Sequence, residues 1–339
     1  MAAQAPILTI AVPIYNMERW LDKNLTAYCD PALAGRVEVI CLNNASTDSS
    51  SKIISRYVDR FPQSFTKVDR DSRGYGDSIN YAIQHAAGAY FRIVDADDWV
   101  DAGELLREVA ALETCDSDIV LTDYETVDMQ TGKTTICSAG HMGAEYNVIF
   151  HDFDRPRKTL PSIHSTTYST KLLRESRFQM QDGIFFVDEE YVILPYLAAT
   201  SVIYYPFDVY RYRVANPEQS TSPKNRGKYQ EHRAKVLKRL ITAYRQAVER
   251  KANPSALAYC FERIKRGIGD HFTTLYIYVE DKRQGRKLAK EWAAFVQEQM
   301  PEAWKLVKGK AHILSLMNSA GISICWYESL KRTVLWRRQ

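Results

Sequence analysis

Long apolar runs are missing from this 339-residue sequence. No stretch of about 18 apolar residues occurs, so no membrane-spanning helix is expected. The first sixteen residues lack a basic leader, and Pro6 and Pro13 break their short apolar run, so they do not read as a signal peptide. Cysteine is sparse. Cys29, Cys41, Cys115, Cys137, Cys260 and Cys325 form no Cys-x-x-Cys pair and have no close histidine partner. That excludes a zinc module and a disulfide framework, and it fits a reducing, cytoplasmic setting. There is no internal repeat and no low-complexity segment.

What is present reads as an ordinary globular chain, 45% hydrophobic and 25% charged, long enough for a catalytic domain with an appendage. The net charge of +4 conceals a division. Residues 1–223 carry 20 Lys+Arg against 31 Asp+Glu; residues 224–339 carry 25 against 10. The basic half either faces something anionic, such as a membrane surface, or is a solvated helical surface. Within it, residues 305–339 interleave seven Lys+Arg with Leu306, Ile313, Leu314, Leu316, Trp326 and Leu330. Such a mixture can lie on an anionic membrane on its inner face, or pack back on the protein. Nucleic acid is not an expected partner, because the Tyr and Trp residues mostly fall on apolar stripes.

The acidic half is organised around Tyr90–Trp99. Tyr90–Val94 reads as a buried strand that ends in Asp95, Asp97 and Asp98. Carboxylates are costly to bury unpaired, so they should emerge into a crevice. Crowded oxygen donors at a strand end suit Mg²⁺ or Mn²⁺ and, through it, a diphosphate. A polar loop in which Asp98 caps the next helix is the plainer account.

Before this strand, strands at Ile7–Val12, Val37–Leu42 and Phe65–Val68 alternate with helices, the pattern of a parallel sheet with helices on both faces. The strand-end loops 13–16, 43–48, 70–76 and 95–98 should converge on one crevice. Farther on, Asp101–Thr114 reads as a helix, Asp118–Val127 as a strand, Thr131–Lys133 as a hairpin turn, and 128–160 as a meander or loop. A short helix at Ser169–Glu175 precedes a second acid cluster, Asp188, Glu189 and Glu190. Tyr191–Ala198 reads as a helix and Val202–Tyr205 as a strand. From Lys224 the pattern is all helical, with stripes Leu237–Val248 and Leu257–Leu275.

Five pieces carry a resemblance. They are Val12-Pro13-Ile14-Tyr15-Asn16, then Asn44-Ala45-Ser46-Thr47-Asp48, then Arg73-Gly74-Tyr75-Gly76 through Ala87-Gly88, then Asp95-Ala96-Asp97-Asp98, and lastly Asp188-Glu189 with Arg213 and Gln219-Ser220. In this order and spacing the chain resembles family-2 glycosyltransferases of bacterial surface-polysaccharide and cell-wall type, over roughly residues 6–222. The resemblance implies a GT-A fold with a mostly parallel central sheet, followed by a helical C-terminal region. The catalytic domain is expected over 1–223, with a nucleotide-sugar half to about residue 100 and an acceptor half beyond, and a basic helical region over 224–339.

The implied activity is inverting transfer of a hexose or N-acetylhexosamine from a nucleotide-diphosphate sugar to an acceptor hydroxyl in a saccharide or lipid-linked saccharide. Mn²⁺ or Mg²⁺ would be held by Asp97, with Asp95 on its ribose side. The general base would be Asp188 or Glu189; the resemblance does not separate them. A helix N-terminus whose dipole favours acids is the plainer account of that cluster. Pro13, Tyr15, Asn44 and Asp48 would frame the base and ribose. Arg73 would approach the base or phosphates, and Arg213, Gln219 and Ser220 would close over the diphosphate. One departure stands out: relatives commonly show Asp-Asp-Gly-Ser where this chain has Asn43-Asn44-Ala45-Ser46. An Asn carbonyl can still accept from uracil, so a UDP-sugar is expected, with thymine and guanine nucleotides open. A sugar-nucleotide-binding partner subunit without turnover is the alternative.

Overall fold

The computed structural model describes residues 5–71, 74–138, 149–150, 161–214 and 223–336. Two compact units divide the chain: Met1–Asn216 with Asn253–Ala256, and Pro217–Ala252 with Leu257–Gln339.

The first unit opens with the expected alternation: β1 (Leu8–Ile14), α1 (Glu18–Thr26), β2 (Val37–Asn44), α2 (Ser50–Arg60), β3 (Phe65–Arg70), α3 (Tyr75–His85) and β4 (Tyr90–Ile93). Every residue of β1 and β4 is buried, because both lie inside the sheet with helices over them. Gly88 makes that packing possible. A Cβ there would overlap the backbone of Leu8 and Thr9, and the Gly88 N–H donates to Thr9 Oγ1 at 2.8 Å.

The chain continues through β5 (Trp99–Val100), α4 (Ala102–Leu112), β6 (Ile119–Asp128), β7 (Thr134–Cys137), β8 (Ile149–Phe150), β9 (Thr166–Ser169), α5 (Thr170–Glu175), α6 (Asp188–Tyr191) and β10 (Val202–Val214). The sheet order is β3-β2-β1-β4-β9-β6-β10-β5, with β7 on β6 and β8 on β10. Strands β3, β2, β1 and β4 are mutually parallel, as is β6 with β10. β9 runs antiparallel between β4 and β6, and β5, β7 and β8 are also antiparallel to their neighbours. The sheet is therefore mixed beyond β4.

Two elements differ from the sequence expectation, each because of a proline. The strand expected at Val202–Tyr205 continues to Val214 past Pro206, with register shifts between Tyr205 and Tyr210. A bulge is where a strand tolerates proline. The helix expected over Tyr191–Ala198 is one turn, α6, followed by a 3₁₀ turn at Pro195–Leu197. Pro195 removes the donor an α-helix would need there. The hairpin at Thr131–Lys133 is present: Gly132 has φ +70° and donates to Asp128 O at 2.8 Å. Most of the expected meander, 139–148 and 151–160, lies outside the described residues.

The second unit holds α7 (Pro223–Lys228), α8 (Gln230–Glu249), α9 (Pro254–Thr273), a π-helical turn at Thr274–Tyr278, α10 (Lys282–Gln299), α11 (Pro301–Ser319) and α12 (Ile324–Trp336). Leu237, Leu240 and Ile241 of α8 and Cys260, Ile264 and Ile268 of α9 are buried, as their stripes require. Val248, assigned to the first stripe, is exposed at the penultimate position of the helix. No described helix is long and apolar enough to cross a membrane.

Candidate active site

The ends of β1, β2 and β4 meet at one crevice. The loops after β1 and β2 are stitched together through side chains that accept from backbone N–H groups. Asn16 Oδ1 accepts from Thr47 N at 2.8 Å, Asp48 Oδ2 from Glu18 N at 3.0 Å, and Asp48 Oδ1 from Ser50 N at 2.9 Å. These bonds hold the Asp48 carboxyl below its usual range against the opposing effect of burial. Pro13 is buried at the end of β1, and Tyr15 is half-buried beyond it. Asn44 is buried, and its Oδ1 accepts from Ser78 of α3. Asn16 and Ala45 both adopt left-handed backbone, φ +53° and +54°. Such strain in non-glycine residues gathers at ligand sites.

The acid cluster separates into unlike members. Asp98 is 1% exposed and fully engaged. Tyr210 Oη donates to its Oδ2 at 2.7 Å, and the Arg213 N–H donates to its Oδ1 at 2.7 Å. Asn24 of α1 bridges the carbonyls of Asp95 and Asp98, both at 3.0 Å. The cap of α4 is Asp101, not Asp98: its side chain accepts from Glu104 N. Asp95 and Asp97 are half-buried. Asp95 Oδ1 accepts from Tyr75 Oη at 3.0 Å. Burial, then the charges of Asp97 and Asp188, push the Asp95 carboxyl up to about 7. Burial also raises Asp97, with the Arg213 guanidinium opposing it.

The second cluster separates too. Glu190 is buried and accepts from the Gln181 backbone and side chain, so it braces its own loop. Asp188 is exposed in the first turn of α6, and its charge acts on Asp95, Tyr75 and Tyr212. Glu189 is half-buried beside it. Two features deliver this cluster. Phe186, two residues ahead, is left-handed at φ +70°. Gly76 lets the loop close on α3, since a Cβ there would overlap the Gln181 carbonyl.

Arg213 is buried, with its guanidinium 4.1 Å from the Trp20 ring and 4.6 Å from the Trp99 ring. Arg73, Gln219 and Ser220 lie outside the described residues. His164 was not anticipated. Its ring stacks on Tyr212 at 4.0 Å, and burial lowers its pKa to about 3.

A hard divalent cation fits this donor set. Buried carboxylates raised by burial and mutual repulsion are the oxygen ligands such an ion takes. Ligand atoms of Asp95, Asp98 and His164 lie within 4.8 Å of one another. Asp97, the expected ligand, is not part of that group, and each Asp98 oxygen already accepts one hydrogen bond.

Beneath the site, Arg92 of β4 and Glu108 of α4 form a fully buried ion pair at 2.7 Å. Thr122 and Thr167 add hydrogen bonds to the same guanidinium. An arginine inside an apolar strand was the available signal, because a buried guanidinium demands an acid.

A family model described as Glycosyl transferase family 2 matches residues 9–179, half of the chain. The chain belongs to that family. Among curated relatives, glycosyltransferase GlyA of Streptococcus pneumoniae is 22% identical over 219 residues, 61% of this chain and 30% of GlyA. The poly(ribitol-phosphate) beta-glucosyltransferase of Bacillus spizizenii is 32% identical over 117 residues, 34% of this chain and 18% of that enzyme. The matches thus span a third or less of these relatives. In architecture the chain is similar to residues 1–349 of Staphylococcus aureus TarS, solved in complex with UDP-GlcNAc, with a TM-score of 0.66, 18% identity and coverage of 92% of this chain and 89% of that one. The GT-A fold of this family member, with its helical C-terminal region, is thereby established.

Proposed function

We propose that this chain is a metal-dependent inverting glycosyltransferase, moving a hexose or N-acetylhexosamine from a UDP-sugar to an acceptor hydroxyl. The observation that carries this reading is the acid motif just after β4, where ligand atoms of Asp95 and Asp98 lie within 4.8 Å of one another. Asp188, exposed in the first turn of α6, adds a second carboxylate whose charge acts on half-buried Asp95. Transfer with inversion needs a general base on the acceptor side and an offset for the charge of the departing diphosphate.

Asp97 and Asp95 would hold Mn²⁺ or Mg²⁺, which when bound would neutralise charge on the departing diphosphate. Asp188 takes the proton of the acceptor hydroxyl as that oxygen bonds to the sugar carbon and the diphosphate oxygen leaves. Glu189 is the second candidate for this role. Pro13, Tyr15 and Asn44 frame the base and ribose, and Asp48 fixes the loop that bears Asn44. Arg213 offsets charge on the diphosphate. Arg73, Gln219 and Ser220 keep the donor-closing roles that the family resemblance implies.

The acceptor in this reading is a surface saccharide or lipid-linked saccharide, assembled on the cytoplasmic side. The outer face of α11 supports a membrane location: Leu306, Ile313 and Leu316 are 63%, 60% and 58% exposed among exposed Lys305, Lys308 and Lys310. Incubation with Mn²⁺ and a panel of nucleotide sugars tests the chemistry. Turnover that survives Asp97→Asn and Asp188→Asn would overturn it. Co-sedimentation with anionic but not neutral vesicles, lost in Leu306→Asp, tests the membrane contact.

A further inference from the structure

The indoles that clamp Arg213 each carry a second cation. Arg19 lies 4.4 Å from the Trp20 ring, and Lys23 Nζ lies 3.6 Å from the Trp99 ring. Trp20, Arg19 and Lys23 come from α1, Trp99 from β5 and Arg213 from β10. The result is one cluster of three cations interleaved with two indoles, tied to the acid motif where the Arg213 backbone N–H donates to the Asp98 carboxylate.

Left to itself the arrangement is unfavourable. Arg19 and Lys23 are one turn apart on α1, where like charges repel. Both are exposed, and neither meets a carboxylate among the described residues. The acids of the crevice act on Arg213, but after burial the effect that lowers Lys23 is Arg213 itself, and the charge of Arg19 likewise lowers Arg213. The stacking holds three positive groups together, fixed in direction by the rings.

The donor and the crevice acids meet this cluster at Arg213. A nucleotide-diphosphate sugar carries two negative charges and leaves as a nucleoside diphosphate with three. Asp98 and Asp97 act on Arg213 whereas no carboxylate acts on Lys23, so the two outer cations are the ones left for a further anion. We propose that Arg19 and Lys23, on their indole supports, form a subsite for a phosphate group carried by the acceptor. The proposal rests on the transferase reading above and names its substrate class, a phosphate-bearing saccharide or polyol chain. The rigid rings preorganise the cations, and one phosphate can accept hydrogen bonds from both.

Direct binding tests this without turnover, so its outcome is independent of the transferase reading, which the Asp97 and Asp188 variants test. The probes are a synthetic phosphodiester-linked glycerol phosphate oligomer, an uncharged malto-oligosaccharide, UDP with Mn²⁺, and a single-stranded RNA of equal phosphate number. For the full chain, the glycerol phosphate oligomer should bind with salt-sensitive affinity that falls about tenfold in each of Arg19→Gln and Lys23→Gln. UDP affinity and thermal midpoint should stay unchanged, and the uncharged oligosaccharide should not distinguish the variants. Unaltered oligomer affinity in both variants overturns the proposal. A parallel loss of UDP affinity overturns it by assigning the cluster to the donor. RNA that binds as tightly, and is lost in the same variants, overturns it in favour of nucleic acid.

Discussion

The hydroxyl of Tyr210 joins the two ends of the acid motif. It donates to Asp98 Oδ2 at 2.7 Å and accepts from the Asp95 N–H at 3.2 Å. Tyr210→Phe keeps the ring and removes both bonds, leaving a buried carboxylate with one donor fewer. The variant should lose about 1–3 kcal/mol in urea unfolding. A midpoint equal to that of the parent protein would mean that Asp98 is neutral and needs no donor there.

Asp188 and Glu190 lie two residues apart and have opposite dependences. Asp188→Asn should lower turnover by about 10²–10⁴-fold, the usual worth of a general base, with little change in thermal midpoint. Glu190→Gln should lower the midpoint by loosening the Gln181 loop while retaining most activity. If the two variants exchange these phenotypes, the base has been assigned to the wrong acid.

The Arg92–Glu108 pair should be expensive to halve and cheap to replace. Arg92→Leu leaves Glu108 buried without its cation, a loss of about 3–5 kcal/mol. The double variant Arg92→Leu, Glu108→Leu should recover most of it, because two apolar side chains leave no charge to compensate. A double-mutant cycle by chemical denaturation gives the coupling directly.

Ala45 adopts φ +54°, where a Cβ costs about 1–2 kcal/mol. Ala45→Gly removes that strain and gives back part of it as added freedom in the unfolded chain. The expected net gain is about 0.5–1 kcal/mol, seen as a small rise in thermal midpoint. A fall would mean that the methyl group packs against the neighbouring loop.

His271, buried against the Trp292 ring, has its pKa lowered to about 3 by burial and then by Arg233 and Lys238. The unfolded chain binds that proton below about pH 6.5, the folded chain only below about 3, so this residue should cost stability as pH falls between those values. The slope is about 1.4 kcal/mol per pH unit, with no contribution above about 6.5. His271→Phe should flatten the difference between midpoints at pH 7 and pH 5. An unchanged difference would mean that His271 is protonated in the fold.

The first four strands and their helices were readable from the sequence, because parallel strands alternating with amphipathic helices leave an unambiguous period. The acid motif was visible as a cluster, but not as unlike members. Asp98 is set apart by Tyr210 and Arg213, which lie more than a hundred residues away. The roles of Tyr75, Asn24 and His164 are equally tertiary, since each reaches the site through a bond or a stack with no local signature. The antiparallel insertion of β9 between β4 and β6 could not be read either, because four residues with little apolar period leave the partner undetermined.

Strand β10 has a consequence for how the enzyme is made. Everything that contacts the nucleotide in the proposed mechanism, apart from Arg213 and the donor-closing residues, is synthesised within the first hundred residues. Asp98 receives its two donors only when Tyr210 and Arg213 have been added. A nascent chain, or a fragment ending near β4, therefore holds an acid motif that repels itself. In the complete fold the last strand of the unit supplies both donors that hold Asp98 of the first half.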